Sequence, residues 1–377
     1  MFRKVLHIIT DLDQGGAEMA LLRVIQNDHE ALNSHVVLSL VKEGALRNQF
    51  ESVCEVHDLG LEYGQLSIRA LVRLRDVCSR VKPDIIQGWM YHGNVVASLA
   101  SFLSGKKPVI HGVRQCLYAD QEIGRLTRIL IKLNSSLSKR ASLTLYNSET
   151  AKTHHIQRGF DPSSCRIWYN GYDTKCFQKS LENRTNMRTS LGLSENHFLI
   201  GNLGRFHPMK DYPTLIEAFR TIHERYSNTH LVLGGKGLDP QNPELNQITR
   251  KSGIPQDKFH LLGPVQETSS FYNSLDCFVL SSSSEAFPNV VVEALLYEIP
   301  VVATDVGEVS SIIDRKNNIA PPAQPAQIAE RILELIECSE RERQELSAEL
   351  KKSIESRFSI ERCAEQLNEF FQEASNP

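Results

Sequence analysis

The sequence predicts an α/β protein built from two doubly wound, Rossmann-like domains facing a central cleft. Three observations lead there. Short β-branched apolar runs alternate with amphipathic segments along most of the 377 residues, the pattern of parallel sheets covered by helices on both faces. The alternation fades over residues 172–196 and then restarts, which divides the chain in two. Hydrophobic residues at 41% and charged residues at 23% are the ordinary globular mix, in a chain long enough for two cores.

The first half opens with KVLHIIT (4–10), a strand that stops at a polar loop containing Gly15 and Gly16, followed by helical AEMALLRVIQ. Further strands are expected at HVVLSLV (35–41), DIIQGWM (84–90), KPVIHGV (107–113) and SLTLYNS (142–148), with helical sequence between them, for example over 66–82. After the polar stretch 172–196, read as the interdomain linker, strands are expected at FLIGNLGRF (198–206), THLVLGGKG (229–237), KFHLLGPV (258–265), DCFVLSS (276–282) and IPVVATDVG (299–307). Helices are expected at PTLIEAFRTIHERY (213–226) and VVVEALLYE (290–298), and a last one from about Ile360 to Glu373. The domains are accordingly residues 1–178 and 190–358. Ligands of such sheets bind outside the carboxyl ends of the strands.

Charge and cysteine content exclude several classes. The longest nearly apolar run, Val95 to Leu103, is far shorter than the ~20 residues of a spanning helix, and the start MFRKVLHIIT is too short in apolar sequence for a signal peptide. The eight cysteines form neither CxxC nor zinc-finger spacings and read as reduced cytosolic thiols. Residues 1–178 carry 22 basic and 17 acidic side chains, net +5, against −8 for the remainder. That basic excess suits phosphates or an anionic membrane surface, or simply a solvated face. It is too modest, and aromatics at 7% too few, for nucleic-acid binding.

Three loops carry candidate chemistry. DQGGAE (Asp13 to Glu18) places two glycines at a helix start, where backbone N–H groups can approach an anion; a plain structural turn is the alternative. GRFHPMKD (Gly204 to Asp211) offers Arg205 as a planar fork and Lys210 as a point charge, a pair able to neutralise a diphosphate, or two solvated loop cations. SEAFPNVVVEAL (Ser284 to Leu295) sets Glu285 and Glu293 around one helix start, with Phe287, Pro288 and Asn289 between them. Glu293 on an otherwise apolar helix is costly unless paired, and a sugar diol could accept that role; a surface acid and a helix-end salt bridge are the alternative. His92 and Asn94 in WMYHGN, and His111 and Arg114 in VIHGVRQ, are further polar residues after strands, although a lone histidine there is more often a hydrogen-bonded core residue than a catalyst. Asp11-Leu12-Asp13 matches DxD by chance of position, and no metal-ligand spacing is present, so no metal is predicted.

Taken together these features resemble the retaining glycosyltransferases of family 4, with the GT-B fold, nearly end to end. The GGAE loop, YNGYD (169–173), the GRFHPMKD loop, LVLGGKG, FHLLGPV, the Glu285–Glu293 pair with seven residues between, and IPVVATDVG occur in the family's order; GWMYHGNVVA and VIHGVRQ look most like bacterial surface-polysaccharide members. One departure is Ala286, where the family usually has glycine. The resemblance implies that Glu293 binds the nucleotide ribose and Glu285 the hydroxyls of the transferred sugar. Arg205 and Lys210 would neutralise the donor diphosphate with N–H groups near Asn289 and Val290, and Gly15 and Gly16 would touch the same phosphates from the other domain. The base would lie near Leu262 and Gly263, and Phe287 and Pro288 would line the donor loop. His111 would border the reacting sugar beside Arg114, with His92, Asn94 and Arg114 on the acceptor side, and the helix over 360–377 would cross back onto the first domain.

The implied activity is transfer of a hexose or N-acetylhexosamine from a nucleotide-diphosphate sugar, without cofactor or metal, to a glycan or polyprenyl-diphosphate-linked acceptor in surface-polysaccharide synthesis. A nucleotide-sugar epimerase or hydrolase, and a non-catalytic nucleotide-sugar-binding protein, are the other readings of the same residues. The expected location is cytoplasmic, peripheral on the inner face of the membrane. Residues 121–140 are amphipathic, with Leu126, Ile129, Leu130 and Leu133 at helical spacing and Arg125, Arg128, Lys132, Lys139 and Arg140 beside them. That pattern fits an anionic membrane surface, or an ordinary helix packing its leucines on the sheet.

Overall fold

A computed structural model describes residues 3–28, 33–62, 67–117 and 124–375. These divide into two compact units, residues 1–173 with 358–377, and residues 174–357. Among the described residues the first unit holds a seven-stranded parallel sheet: β1 (Arg3–Ile9), β2 (Asn33–Ser39), β3 (Glu55–Asp58), β4 (Ile85–Trp89), β5 (Val109–Val113), β6 (Leu143–Tyr146) and β7 (Cys165–Ile167), in the order β3-β2-β1-β4-β5-β6-β7. The second holds six: β8 (Phe198–Leu203), β9 (Thr229–Gly234), β10 (Phe259–Gly263), β11 (Cys277–Leu280), β12 (Val301–Thr304) and β13 (Ile319–Ala320), in the order β10-β9-β8-β11-β12-β13. Both orders reverse direction once, between β1 and β4 and between β8 and β11, which is where such sheets open a crevice at their carboxyl ends.

The expected strands are present. β3, β7 and β13 were not expected: β3 (EVHD) is polar and only partly buried, and β7 and β13, at three and two residues, are too short to show a period. β1 illustrates why the central strands form. Val5, Leu6, Ile8 and Ile9 are at most 1% exposed, because both faces of the strand are covered. On one face lie the helices Ile68–Val81 and Met90–Leu103. On the other lie Gly16–Asn27 and the C-terminal helix Ile360–Ser375, whose Leu367, Phe370 and Phe371 share a core with Val5 and Trp89. That last helix is docked through Tyr172, whose N–H donates to the Phe358 carbonyl and whose carbonyl accepts from Ile360 (2.9 and 2.8 Å). Trp168 Nε1 donates to the Cys363 carbonyl at 3.0 Å. Gly171 lies so close that a Cβ there would stand 2.8 Å from the Cys363 side chain. Residues 376–377 of the expected crossover helix, residues 121–123 of the expected amphipathic segment and Leu66 of the expected helix over 66–82 lie outside the described residues.

The stretch read as a linker contains a helix, Leu181–Ser190, that belongs to the second unit. It is held by charge rather than by an apolar stripe, which is why periodicity missed it. Arg188, 1% exposed, donates to Asp276 Oδ2 (3.1 Å) and to the carbonyls of Ser274 and Ser194. Arg184 pairs with Asp276 Oδ1 at 2.8 Å, and the Asp276 carboxylate also accepts the Leu199 N–H at the start of β8. Arg188→Ala leaves a part-buried carboxylate short of its partner and several carbonyls unpaired, and is expected to destabilise the second unit by about 3–5 kcal/mol. Urea unfolding followed by circular dichroism measures this; a loss within ordinary surface-mutation scatter, about 0.5 kcal/mol, would show that the pair does not anchor the helix.

Candidate active site

In the second unit the reversal in strand order brings two loops together at the carboxyl ends of β8 and β11. The β8 loop, residues 204–211, ends in a 3₁₀ turn Pro208–Lys210 and in Asp211. Asp211 takes a left-handed conformation (φ 48°) and caps the helix Tyr212–Arg225 by accepting from the Thr214 N–H and hydroxyl. The β11 loop runs through Ser281–Pro288 into the helix Asn289–Leu296. The loops are stitched by Ser281 Oγ donating to the Lys210 carbonyl (2.8 Å) and the Ser283 N–H donating to the Met209 carbonyl (2.8 Å). Lys210 Nζ thereby meets Glu285 Oε1 at 2.5 Å, and Ser282 Oγ donates to the same oxygen at 2.7 Å.

Gly307, at φ +57°, backs onto this loop, where a Cβ would stand 2.6 Å from the Glu285 carbonyl oxygen. The next N–H, of Glu308, donates to the Ala286 carbonyl. Ala286 itself is not among the residues with positive φ, so alanine in place of the family's glycine carries no backbone strain. Eight positions beyond Glu285, Glu293 Oε2 accepts from the hydroxyl of Tyr272 at 2.9 Å. Tyr272 is fully buried and stacked on Tyr297. Glu293 is thus oriented by a buried phenol.

Arg205 is exposed and, among the described residues, pairs with no carboxylate. Its loop is supported from below by glycines at the carboxyl ends of three neighbouring strands. Gly204 donates to the Gly234 carbonyl, Gly235 to that of Gly263, and Gly263 to that of Leu238. Gly235 (φ +131°) and Gly263 (φ +66°) occupy conformations that side chains rarely adopt, and Gly235 packs directly on the Gly204 peptide. Leu262 is half-buried beside Gly263, and Phe287 and Pro288 are buried under the start of the helix that carries Asn289 and Val290.

In the first unit Gly15 caps the helix Gly16–Asn27 without a side-chain hydrogen bond, and Gly16 is exposed. The Glu18 carboxylate folds back over Gly15, into space that any Cβ there would fill. Burial pushes its carboxyl up to about 6; its own backbone N–H and Arg114 pull against the rise, and Asp11 and Asp13 add to it. Arg114, in the loop after β5, lies over Trp168 and Trp89, 4.7 and 5.4 Å from the ring centroids. It donates to Asn170 Oδ1, while its Nε is shut off from solvent without a hydrogen-bond partner. Desolvation lowers its pKa to about 10. Its backbone N–H donates to Met90 Sδ at 3.3 Å, and Met90 is itself held at φ +62° at the end of β4, a costly conformation of the kind that collects at functional sites.

Two expected site residues are corrected. His111 is 0% exposed, in the middle of β5, with Nε2 against Ser98 Oγ at 2.9 Å; burial lowers its pKa to about 4. It is a core histidine, beyond reach of a sugar. Asn94, also 0% exposed, is engaged by the β5 backbone, its amide donating to the Gly112 carbonyl and its Oδ1 accepting the Gly112 N–H (3.2 and 3.0 Å). It locks the helix Met90–Leu103 to the sheet and cannot face an acceptor. His92 is exposed at the start of that helix. Sequence reasoning passed over Ser282 and Tyr272, whose roles arise only from folding, and Glu18, which lay inside the quoted GGAE loop.

The architecture and the loop chemistry define a glycosyltransferase. The chain matches "Glycosyltransferase Family 4" over residues 14–175 and "Glycosyl transferases group 1" over residues 183–353, and it belongs to the GT-B glycosyltransferases that join these two halves. Within them it resembles enzymes of bacterial surface polysaccharides. It is 24% identical over 357 residues to the capsular polysaccharide biosynthesis glycosyltransferase CapM of Staphylococcus aureus, covering 90% of each chain. It is 28% identical over 228 residues to the putative teichuronic acid biosynthesis glycosyltransferase TuaC of Bacillus subtilis, covering 59% of this chain and 55% of that one. Its fold matches Anabaena HepE, solved in complex with UDP, with a TM-score of 0.84 at 23% identity over 98% of this chain and 99% of that one. HepE was also solved with UDP-glucose.

The Glu18 carboxyl gives a signed pH effect. The folded protein holds this proton more tightly than the unfolded chain, whose carboxyl titrates near 4.5. Stability therefore falls as pH rises from about 4.5 to about 6, and the whole cost is present above that. Glu18→Gln is expected to raise stability at pH 8 by about 1–2 kcal/mol and to leave it unchanged at pH 4. Thermal unfolding at the two pH values checks this, and a destabilised variant at pH 8 would show the carboxylate to be a net asset to the fold.

Proposed function

We propose that the protein is a retaining transferase that moves a hexose or N-acetylhexosamine from a nucleoside-diphosphate sugar to a glycan or polyprenyl-diphosphate-linked acceptor during surface-polysaccharide synthesis, capsule or lipopolysaccharide. It works without a divalent metal, at the inner face of the cytoplasmic membrane. The observation that carries this reading is the pair of acids around one helix start: Glu285 held by Lys210 and Ser282, with the exposed Arg205 in the same loop as Lys210, and Glu293 oriented by Tyr272. The capsular role named for CapM and the UDP and UDP-glucose complexes of HepE support it.

In this reading Glu293 accepts the ribose hydroxyls and Glu285 those of the sugar. Leu262 and Gly263 border the base. Arg205, the ammonium protons of Lys210 not engaged by Glu285, and the N–H groups of Asn289 and Val290 receive the diphosphate. The bond from the anomeric carbon to the phosphate oxygen breaks, and charge moves onto the leaving diphosphate, where these fixed cations and dipoles stabilise it. The acceptor oxygen bonds to the anomeric carbon on the same face, and its proton passes to the departing phosphate oxygen. In the first unit, Gly15 and Gly16 serve the phosphates, while Arg114 and His92 lie on the acceptor side.

A mass-spectrometric screen of nucleotide sugars, scored first by slow donor hydrolysis, identifies the donor; transfer to a lipid-linked or oligosaccharide acceptor with retained anomeric configuration then tests the reading. Free nucleotide released by every donor at the same background rate, with no transfer to any acceptor, would overturn it. Glu293→Ala should weaken nucleotide binding by about 10–150-fold, the loss of a charged hydrogen-bond acceptor worth about 1.5–3 kcal/mol. Calorimetry with free nucleotide measures it, and Glu293→Gln separates this loss from the unpairing of Tyr272. Arg205→Ala should lower kcat by about 10²–10³ with little change in stability, since the side chain is exposed, and turnover of the parent enzyme should persist in chelator. Activity abolished by chelator and restored by magnesium would contradict the metal-independent mechanism.

A further inference from the structure

The start of the helix Gly16–Asn27 holds an acid that the turn itself does not require. The first intrahelical bond runs from the Met19 N–H to the Gly15 carbonyl at 3.0 Å, so the N–H groups of Gly16, Ala17 and Glu18 have no acceptor inside the helix. Gly15 supplies no capping side chain. An acid at the third helical position is usually half of a reciprocal cap, answered by a serine or threonine at the cap itself. Here the answering residue is a glycine. In its place the Glu18 carboxylate folds back over Gly15, across the helix start, where its own N–H holds it. Gly16 beside it is exposed.

Two loops present charge to this carboxylate. The loop after β1 brings Asp11 and Asp13, whose like charge disfavours it. Both are fixed: Asp11 Oδ1 accepts the Asp13 N–H and Asp13 Oδ1 accepts the Ala45 N–H, each at 3.1 Å. The loop after β5 brings Arg114, which attracts it. Among the described residues Arg114 closes no ion pair with Glu18. Its guanidinium lies on the two indoles and on Asn170, and its Nε is buried without a partner. A single carboxylate thus leaves the cation and part of the N–H donors unsatisfied while standing near two other acids. A phosphate, with more acceptor oxygens, suits the helix start and the guanidinium better.

We infer that the Glu18 carboxylate is a built-in competitor for phosphate at this helix start: the donor phosphates reach the Gly16 and Ala17 N–H groups only as Glu18 takes up a proton or swings aside, so their engagement by the first unit is coupled to a proton. The inference rests on the reading that Gly15 and Gly16 serve the donor phosphates. The Glu18 carboxyl titrates at about 6, and Arg114 stays cationic to about 10, so over the neutral range the charge that changes is the competitor's. An arriving phosphate raises the carboxyl pKa further, by like charge. Binding above about pH 6 therefore takes up a proton, and affinity falls by up to about tenfold for each further pH unit.

Calorimetry on the full-length protein, Glu18→Gln and Glu18→Ala at pH 5.5 and pH 8 tests this, with UDP as one probe and inorganic pyrophosphate as a second that carries no base. Both probes titrate in this range themselves, but identically for all three proteins, so the ratio of parent to variant isolates Glu18. At pH 5.5 the three should bind within about twofold of one another, and at pH 8 both variants should bind about 10–100-fold more tightly than the parent. Repeating the pH 8 titration in buffers of different ionisation heat should show the parent taking up more protons than either variant, by close to one. Circular dichroism at both pH values checks that the variants are folded. Variants that track the parent at both pH values would overturn the inference, and so would variants that bind more weakly at pH 8, which would make Glu18 a contributor to binding. Binding of neither probe to any of the three proteins would overturn it as well. Glu293→Ala, titrated alongside, separates the two readings. UDP binding that weakens in Glu293→Ala and ignores Glu18 sinks the competitor and leaves the donor site standing, whereas UDP binding indifferent to Glu293 counts against the donor site itself.

Discussion

The Lys210–Glu285 contact is the interaction on which the second unit's candidate site depends. Residues 75 apart in sequence meet because β8 and β11 are neighbours across the point where strand order reverses, so their loops leave the sheet side by side. Neither loop could hold a charged side chain steadily by itself. Ser281 and Ser283 tie one backbone to the other, Ser282 shares the carboxylate oxygen with the ammonium, and Gly307 closes the loop from behind. The carboxylate of Glu285 is thereby fixed relative to the helix that carries Glu293, which Tyr272 orients in turn. Preorganisation of this kind lowers the ordering cost when a polar ligand arrives.

The first unit solves a related problem with different materials. Its sheet has the same reversal, and the loop after β1 and the end of β4 flank it. What gathers near it is not an ion pair but a guanidinium on two indole rings, tied to Asn170, with a carboxylate of raised pKa at the adjacent helix start. Arg114 can stay charged in this setting because the indole faces offer a partly compensating field. Glu18 keeps its place because Gly15 has no side chain to exclude it. Both groups are held at some cost, and the strained backbone of Met90 beside Arg114 adds to the local expense at this candidate site.

Much of the architecture was legible. Long β-branched strands such as β1 and β9 announce themselves because both faces are buried and the whole run must be apolar. β3, β7 and β13 did not: the first is polar and only partly buried, and the other two are three and two residues long. The helix Leu181–Ser190 was invisible for another reason: its anchor is a buried arginine on a distant aspartate, and apolar periodicity carries no trace of it. Among candidate site residues, Arg205, Lys210 and Glu285 could be singled out because acids and bases in loops after strands have few structural uses, and Glu293 because it interrupts an apolar helix. His111 and Asn94 were misplaced because a polar residue at the end of an apolar run looks the same whether it faces a ligand or a neighbouring backbone.

The sequence by itself determined the class of fold, the order of most strands and helices, the loops that are candidates for the chemistry and the kinship with the glycosyltransferases. All of these are recorded in local pattern and motif order. Only the tertiary structure decided which polar groups pair and which surfaces stay open. Helical spacing shows that Leu126, Ile129 and Leu133 share one face, but not whether that face turns to the sheet or to solvent. It turns outward because Asn134, Ser135 and Ser138 satisfy their hydrogen bonds against the protein side. That balance between burying apolar area and pairing buried polar groups is struck only when distant segments are brought into contact.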